Sequence, residues 1–446
     1  MNSFSKIRSI LLLLGDVSLL YCALILTLIL RYQQLFYQQF FANHLTPFTI
    51  IFGLWIIIFY VAGLYDFKRL KNDFEFKKLF WYTMLANTIL AELFFYLLPS
   101  FRITPRASLA VLILIFGALD YFWRHLFNRV VGTTRSGNRL LLVGTNETIH
   151  ELTAVIEKNP QLGYEIGYWM KEGFHDKEFE HFSQIILTHH ITTLVIPTHL
   201  KRNEKVAKLI YKVLVLGIEV VSVTTLYESI FRKVPLAELE ETWFLEHLVQ
   251  RYHIYEIIRG PLERILALVF LLATSPFALG IALIIKLTSR GPVIFQQIRI
   301  GGNDVPFTIY KFRTMRLDAE QNGPQWAHYH SDPRATWFGQ LLRRSHLDEL
   351  PQLINILKGE VSFIGPRPER PEFVEELKKQ LPYYELRHLA KPGITGWAQI
   401  NYRYAASQED AYQKLQYDLY YIKNNSPFLD FVIALKTLKF IIQNHV

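Results

Sequence analysis

The chain begins with four apolar segments, at about 9–30, 46–65, 79–99 and 107–123, separated by short polar linkers. Each approaches the ~20 residues that a helix needs to cross a bilayer. Lys6 and Arg8 precede the first segment. Lys68, Arg69, Lys71, Lys77 and Lys78 fill the second linker, and Arg124, Arg129, Arg135 and Arg139 follow the fourth segment. The other two linkers are poorer in charge, with Arg31 in one and Arg102 and Arg106 in the other. Cationic loops stay on the cytoplasmic side, so both ends of this bundle are expected there. No small-residue cleavage site follows the first segment, which therefore reads as a retained anchor. Asp16 lies inside that segment. A charged group in lipid is costly, so Asp16 is expected to make a polar contact to another helix, with no second ionisable group at its depth.

Between about 137 and 247 the pattern changes to alternating strands and helices. Buried-strand runs occur at Arg139–Val143, Tyr164–Met170, Thr193–Pro197 and Glu219–Val223, with helical stretches such as 147–158 and 204–216 between them. This alternation predicts a small parallel sheet of Rossmann-like type. The first strand ends in Val143-Gly144-Thr145-Asn146-Glu147. A dinucleotide fingerprint needs three glycines and only Gly144 is present, so a regulatory or dimerising role is expected before nucleotide binding.

A fifth apolar run, Ile265–Ile285, has 21 residues and could span on length alone. Both of its flanks are basic, with Arg259 and Arg264 before it and Lys286 and Arg290 after it. Ser275-Pro276 falls at its midpoint, where proline breaks the helical ladder. The remaining segment, Gly291 to Val446, is soluble in character. It carries Gly291-Pro292-Val293-Ile294-Phe295-Gln296-Gln297, then Phe307-Thr308-Ile309-Tyr310-Lys311-Phe312-Arg313-Thr314-Met315. Asp348-Glu349 follows soon after Arg343-Arg344, and Arg367 stands between Pro366 and Pro368. Last comes Lys391-Pro392-Gly393-Ile394-Thr395-Gly396-Trp397-Ala398-Gln399-Ile400-Asn401. Adjacent carboxylates flanked by fixed cations suit a metal ion and a phosphate group. Lys311 and Arg313, one residue apart, would share one face of a strand and are candidates for phosphate binding. Singly, each motif has a plain structural explanation: a solvated strand edge, acids at a helix start, a turn. Four of them within about 110 residues are harder to explain that way.

Composition narrows the class. Hydrophobic residues make up 51% and aromatics 15%, too apolar for an ordinary soluble enzyme and too polar for a bare membrane bundle. The net charge of +9 fits positive-inside topology and anionic lipid, and no nucleic-acid recognition motif accompanies it. A single cysteine, Cys22, excludes an intramolecular disulfide and a cysteine zinc cluster.

Over 259–423 these motifs resemble the bacterial sugar transferases, the monotopic phosphoglycosyl transferases. The four-helix bundle and α/β insert resemble their long form, the polyprenyl-phosphate hexose-1-phosphate transferases of exopolysaccharide and O-antigen pathways. The run Pro368-Glu369-Arg370-Pro371-Glu372-Phe373-Val374, with Tyr417-Asp418-Leu419-Tyr420-Tyr421, is similar to the exopolysaccharide branch found beside exosortase systems. The resemblance implies a reaction at the cytoplasmic face of the bacterial inner membrane. There a sugar 1-phosphate passes from a UDP-sugar to undecaprenyl phosphate, with release of UMP. Asp348 would be the nucleophile, forming an acyl phosphate, and Glu349 would ligate Mg²⁺. Arg343 matches the family's arginine five residues before the nucleophile. Arg367 offers a planar fork to phosphate or uridine oxygens. Gln399 and Trp397 are candidates for the base, against a structural role for both.

Spanning at 265–285 would carry the catalytic segment away from nucleotide-activated substrates, so a re-entrant helix bent at Ser275-Pro276 is expected. Two positions depart from the family. Glu263-Arg264-Ile265-Leu266-Ala267 keeps the arginine but lacks the usual aspartate, and His346 stands where many members have serine or arginine. Near the C-terminus, 411–423 and 428–443 read as amphipathic helices, with Tyr412, Leu415, Leu419 and Ile422 at helical spacing. They would pack on the catalytic core or rest at the membrane interface.

The expected fold is therefore a mixed membrane protein: a transmembrane bundle over 1–130, a Rossmann-like domain over 137–247, and a re-entrant helix with a small α/β catalytic domain and amphipathic interfacial helices over 259–446. A homodimer in contact with membrane lipid is expected. Two rival functions are a membrane-anchored nucleotide-sugar epimerase or dehydratase and a non-catalytic scaffold of a polysaccharide assembly complex. The first lacks its glycines and its tyrosine-x-x-x-lysine pair, and the second leaves the acidic pair unexplained.

Overall fold

The computed structural model describes residues 3–66, 71–97, 106–133, 138–171, 182, 184–248, 253–317, 319, 334–402 and 407–443. The linker cations Lys68, Arg69, Arg102 and Arg135 lie outside these residues. The chain divides into two compact units, Met1–Leu226 and Tyr227–Val446.

In the first unit, long helices occupy Ser3–Tyr32 (α1), Leu45–Ala62 (α2), Phe74–Leu97 (α3) and Arg106–Thr133 (α4). The stretches Arg8–Ala62, Phe74–Leu97 and Ser108–Val130 are long and apolar enough to cross a membrane. Their shared interior is aliphatic and aromatic: Leu20, Leu24, Phe48, Trp55, Phe59, Phe80 and Phe116 are all fully buried. One polar cluster interrupts it. The Arg124 guanidinium bonds to Asp16, to Asp120 at 3.0 Å and to the Leu64 carbonyl at 3.0 Å, and the Tyr65 hydroxyl donates to Asp16 at 2.6 Å. This corrects the expectation for Asp16. Two further ionisable groups, both from α4, stand at its depth, because a buried carboxylate needs a charged or hydrogen-bonding partner.

The same unit holds a four-stranded sheet of Asn138–Val143 (β1), Tyr164–Met170 (β2), Thr193–Ile196 (β3) and Glu219–Ser222 (β4), in the order β2-β1-β3-β4. All three pairings are parallel. Helices Glu147–Lys158 (α5) and Glu204–Val215 (α6) connect strands. Asn146 caps α5 by accepting from the Ile149 amide. Leu140–Val143 of β1 and Leu194–Ile196 of β3 are apolar and buried throughout because both faces of the sheet are covered there.

The second unit begins earlier than the domain boundary expected at 247. Helix Glu241–Leu248 (α7) and the residues before it belong to this unit, because Val234, Leu236, Trp243 and Phe244 fill its main core beside Leu377 and Leu415. Helix α8 runs unbroken over His253–Thr288, with Pro261 and Pro276 inside it. Most of its middle is apolar and exposed, and Tyr255–Thr288 is long and apolar enough to cross a membrane. Pro276 cannot donate to the Leu272 carbonyl, and the Ser275 hydroxyl donates to it instead at 2.8 Å. Both halves of α8 rest on the second unit. Ala267 and Leu271 pack with Phe307, Ile309 and Leu353, while Ala278, Ile281 and Ile285 pack with Phe312, Phe338 and Leu342. Ala267, where the resemblance led to the expectation of an aspartate, is fully buried in the first of these clusters.

Strands Ile294–Ile300 (β5) and Pro306–Phe312 (β6) form an antiparallel hairpin that pairs Ile294 with Phe312 and Ile300 with Pro306. Helices Trp337–Arg344 (α9) and Leu353–Lys358 (α10) follow, flanking a 3₁₀ segment at Leu347–Gln352. Ser362–Ile364 (β7) pairs in parallel with Gly393–Thr395 (β8). Helices Pro371–Gln380 (α11), Trp397–Asn401 (α12), Gln408–Asn424 (α13) and Pro427–Gln443 (α14) complete the unit. Leu415, Leu419 and Ile422 of α13 are buried in the main core. α13 is therefore a core helix and not an interfacial one, because its aliphatic face is spent on α7 and α11 residues. Helix α14 keeps Phe428, Phe431 and Leu438 exposed while burying Val432 and Ile433.

Candidate active site

The acidic pair sits in the 3₁₀ segment between α9 and α10. His346, directly before it, adopts a left-handed conformation (φ 56, ψ 15), an uncommon one for a residue with a side chain. That turn reverses the chain after α9, and Asp348 ends 8% exposed. Asn355, fully buried, fixes α10 to β6. Its amide donates to the Thr308 carbonyl at 2.7 Å and its oxygen accepts from the Tyr310 amide at 3.1 Å. The acidic turn is thereby held against the strand that carries Lys311.

The Lys311 ammonium donates to Glu349 Oε1 at 2.7 Å, and the Arg367 guanidinium donates to the same oxygen at 3.0 Å. Burial raises the Glu349 carboxyl, but Lys311 and Arg367 outweigh it and hold the group well below the carboxylate range. Asp348 behaves oppositely. Burial, with the Glu349 charge beside it, pushes its carboxyl up to about 6, against the pull of Lys311, Arg343 and Arg367. Neighbouring acids with affinities pushed apart are the pattern expected where two carboxyls have different tasks. Arg343 on α9 donates to the Thr314 hydroxyl at 2.9 Å. Gly339 lets α9 approach this closely, since a Cβ there would stand 2.0 Å from the Thr314 carbonyl oxygen.

The two glycine-bearing motifs form one structure. The Gly365 amide donates to the Thr395 carbonyl at 2.8 Å, and the Gly393 amide to the Pro366 carbonyl at 2.9 Å. A Cβ on Gly365 would stand 2.3 Å from the Lys391 oxygen, and one on Gly396 would stand 2.1 Å from the Gly365 oxygen. Backbone therefore packs on backbone, and the turn that carries Arg367 is pinned. Arg387, buried, pins it from the other side by donating to the Arg367 carbonyl at 2.9 Å, and is itself held by Asp418 at 2.9 Å.

Asp348, Glu349, Lys311, Arg343 and Arg367 thus share one electrostatic site. Arg313 and Gln399 do not join it. Arg313 leaves β6 at its end and donates to the carbonyls of Ser289 and Arg290, at 3.0 and 2.8 Å, satisfying backbone just past α8. Gln399 turns inward and donates to the Ile394 carbonyl at 3.2 Å. Trp397 donates to the Arg232 carbonyl at 2.8 Å and stacks on Tyr420. Asn355 and Arg387 are supporting residues that motif reading passed over, and Thr314 stood inside a motif without a role. Asp418 gave a signal, as an acid on the same helical face as Leu415 and Leu419 and hence in need of a buried partner.

Paired carboxylates under fixed cations, beside a helix long and apolar enough to cross a membrane, are an arrangement suited to phosphate groups near a bilayer. The bacterial sugar transferase family pattern matches residues 254–444. An uncharacterized sugar transferase of Bacillus subtilis (strain 168) is 42% identical over 39% of this chain and 82% of its own length. The chain belongs to the bacterial sugar transferase family. It is 44% identical to the UDP-N-acetylgalactosamine-undecaprenyl-phosphate N-acetylgalactosaminephosphotransferase of Aeromonas hydrophila, over 42% of this chain and 44% of that one. It is 39% identical to the UDP-glucose:undecaprenyl-phosphate glucose-1-phosphate transferase of Xanthomonas campestris pv. campestris, over 42% of this chain and 40% of that one. The matched region thus spans less than half the length of these two relatives.

Proposed function

We propose that this protein transfers a sugar 1-phosphate from a UDP-sugar to undecaprenyl phosphate at the cytoplasmic face of the inner membrane and releases UMP. The observation that carries the reading is the split acidic pair, with Asp348 buried and raised and Glu349 held ionised by Lys311 and Arg367. An Asp348 carboxylate oxygen attacks the phosphorus that bears the sugar. The bond from that phosphorus to the bridging oxygen breaks, and UMP leaves with the electron pair. An oxygen of undecaprenyl phosphate then attacks the same phosphorus and frees the Asp348 carboxylate. Lys311, Arg343 and Arg367 cancel charge as one anion approaches another, without reorganising.

Glu349 would hold Mg²⁺. Lys311 and Arg367 both bond to its Oε1, and a hard carboxylate oxygen with water and substrate phosphates is the donor set that Mg²⁺ takes. When bound, the ion would neutralise diphosphate charge.

The apolar middle of α8 would enter the membrane and return. Support comes from its two halves, both seated on the second unit, and from the Ser275 hydroxyl at the carbonyl that Pro276 leaves open. Pro276→Leu is expected to favour a span and to make the C-terminus accessible to impermeant label from outside intact cells. Unchanged labelling would count against re-entry. The parallel sheet of 138–222 is read as a Rossmann-like regulatory or dimerising domain.

The test of function is direct. Protein in detergent, given UDP-sugars, undecaprenyl phosphate and Mg²⁺, should release UMP. A panel containing UDP-glucose and UDP-N-acetylgalactosamine, the sugars in the relatives' names, would identify the donor. A phosphosugar adduct trapped on Asp348 without the lipid would separate the covalent route from direct attack in a ternary complex. No UMP from any donor would defeat the proposal.

A further inference from the structure

Pro366 and Pro368 leave the turn around Arg367 without two amide donors, so its order has to come through its carbonyls. Four carbonyls in a row are taken. The Gly393 amide donates to that of Pro366 at 2.9 Å, Arg387 to that of Arg367 at 2.9 Å, Arg299 to that of Pro368 at 3.1 Å and the Ile300 amide to that of Glu369 at 2.9 Å. These donors come from β8, from the 3₁₀ segment Tyr384–Leu389 and from β5. Resting on the transfer reaction proposed above, we infer that Arg299 and Arg387 are positioning residues for it: by holding adjacent carbonyls they aim the Arg367 guanidinium at the place where the reacting phosphates lie.

The form of each clamp is the first argument. Arg387 donates to Asp418 at 3.1 Å and to the Tyr384 hydroxyl at 2.6 Å while its remaining nitrogen holds the turn. Arg299 donates to Gln297 at 3.0 Å and faces Glu369 at 3.6 Å while it holds the Pro368 carbonyl. A planar fork can serve an acid and a carbonyl together, and an ammonium on a flexible stem cannot. Asp418 and Glu369 offset the charge of the clamps, so both can stand beside a third guanidinium.

The hairpin is the second. Strand pairing sets Phe295 opposite Lys311 and Arg299 opposite Phe307, so Arg299 and Lys311 project from one face of β5 and β6. Lys311 reaches Glu349 Oε1 directly at 2.7 Å, and Arg367 reaches the same oxygen at 3.0 Å from the turn that Arg299 holds. One element thus sets both cations on one carboxylate. Arg367 has the greater need of support, because its side chain is 41% exposed against 17% for Lys311. An exposed arginine has many rotamers to lose, and a misplacement of about 1 Å can cost roughly 100-fold in rate.

The experiment uses the full chain in detergent. Arg299→Lys and Arg387→Lys should each lower kcat for UMP release roughly 10- to 100-fold, with the KM for undecaprenyl phosphate held within about threefold. In an Arg367→Met background the same substitutions should cost less than about threefold more, because their effect passes through Arg367. Equal losses in both backgrounds would mean that the two residues only support the core, and would overturn the inference. Hydrogen exchange without substrate gives a reading that needs no turnover. The Gly393 and Ile300 amides, which bond to the turn, should exchange faster in both variants, and unchanged exchange overturns the inference as well. Lys423→Met breaks a buried pair with Glu228 at 2.9 Å elsewhere in the unit. It should lower Tm and keep kcat within about threefold; a loss of kcat as large as that of the clamp variants would show that activity merely follows stability. Should Arg387→Lys fail to fold, Arg299→Lys carries the test, since that side chain is 20% exposed. No transfer by wild type would defeat the reaction and this role together, whereas equal transfer by wild type and both variants would defeat the role alone.

Discussion

Asp348→Asn should abolish sugar phosphate transfer and at the same time make the second unit more stable. The kinetic half follows from the chemistry, because an amide cannot form the acyl phosphate; a loss on the order of 10⁴-fold or more is expected for a nucleophile. The stability half follows from the environment. Raising the carboxyl from its ordinary value to about 6 means that its charged form is disfavoured by about 3 kcal/mol. Asparagine removes that charge at nearly constant shape, so the variant should gain about 1–3 kcal/mol at pH 8. The sign can be checked with pH. The native state holds the Asp348 proton more tightly than the unfolded chain, so wild-type stability gains from this group as pH falls through 6, and the advantage of the variant should shrink toward pH 4. Wild-type kcat/KM should meanwhile drop tenfold per pH unit below about 6, because only the ionised carboxylate attacks. An Asp348→Asn protein that still transfers at the wild-type rate, or that unfolds more easily at pH 8, would contradict this account.

Arg259→Met should have the largest effect on stability alone. Arg259, at the start of α8, donates to Glu263 at 2.9 Å, to the Tyr421 hydroxyl at 2.9 Å, to the Ser362 hydroxyl and to the Ile364 carbonyl, and faces Asp430 at 3.3 Å. One buried guanidinium thus joins the membrane helix to β7, α13 and α14. Removing it strands Glu263 and Asp430 with buried charge, and a loss of about 3–5 kcal/mol is typical for that situation. Lysine, with three donors on one nitrogen, cannot serve these acceptors together and should rescue poorly. Adding Glu263→Gln to Arg259→Met should restore part of the loss, because the two positions share one network. The measurement is apparent Tm in detergent. A drop smaller than that of an exposed control such as Lys208→Met would refute the hub reading.

The sequence exposed those parts of the fold that follow periodicity or depend on residue pairs close along the chain. Strand Tyr164–Met170 and helix Glu147–Lys158 were readable to the residue, because Ile166, Tyr168, Trp169 and Met170 give the strand its aromatic and aliphatic character and an asparagine cap marks the helix start. The acidic pair and the Pro-Arg-Pro turn stood out as motifs, and the structure brings Arg367 to Glu349 at 3.0 Å. Distant partners were not. Lys311 and Arg313 look equivalent along the strand, yet one reaches Glu349 and the other caps backbone after α8, because β6 ends between them at Phe312. The burial of α13 was hidden by its tyrosines and lysines, which suit an interface as well as a core. Asp16 and Arg124 are 108 residues apart, and nothing in either local pattern points to the other.

That last pair bears on how the protein is made. Helix α1 leaves the ribosome before α4, carrying a carboxylate that costs about 2.5–3.5 kcal/mol in lipid by insertion scales. Its guanidinium partner is encoded on α4, three membrane segments later. Until that helix arrives, α1 has a reason to stay in the polar shelter of the insertion machinery. The four helices are thus bound to partition into the bilayer as a group, and the cluster at Asp16 ties assembly of the bundle to completion of its last helix.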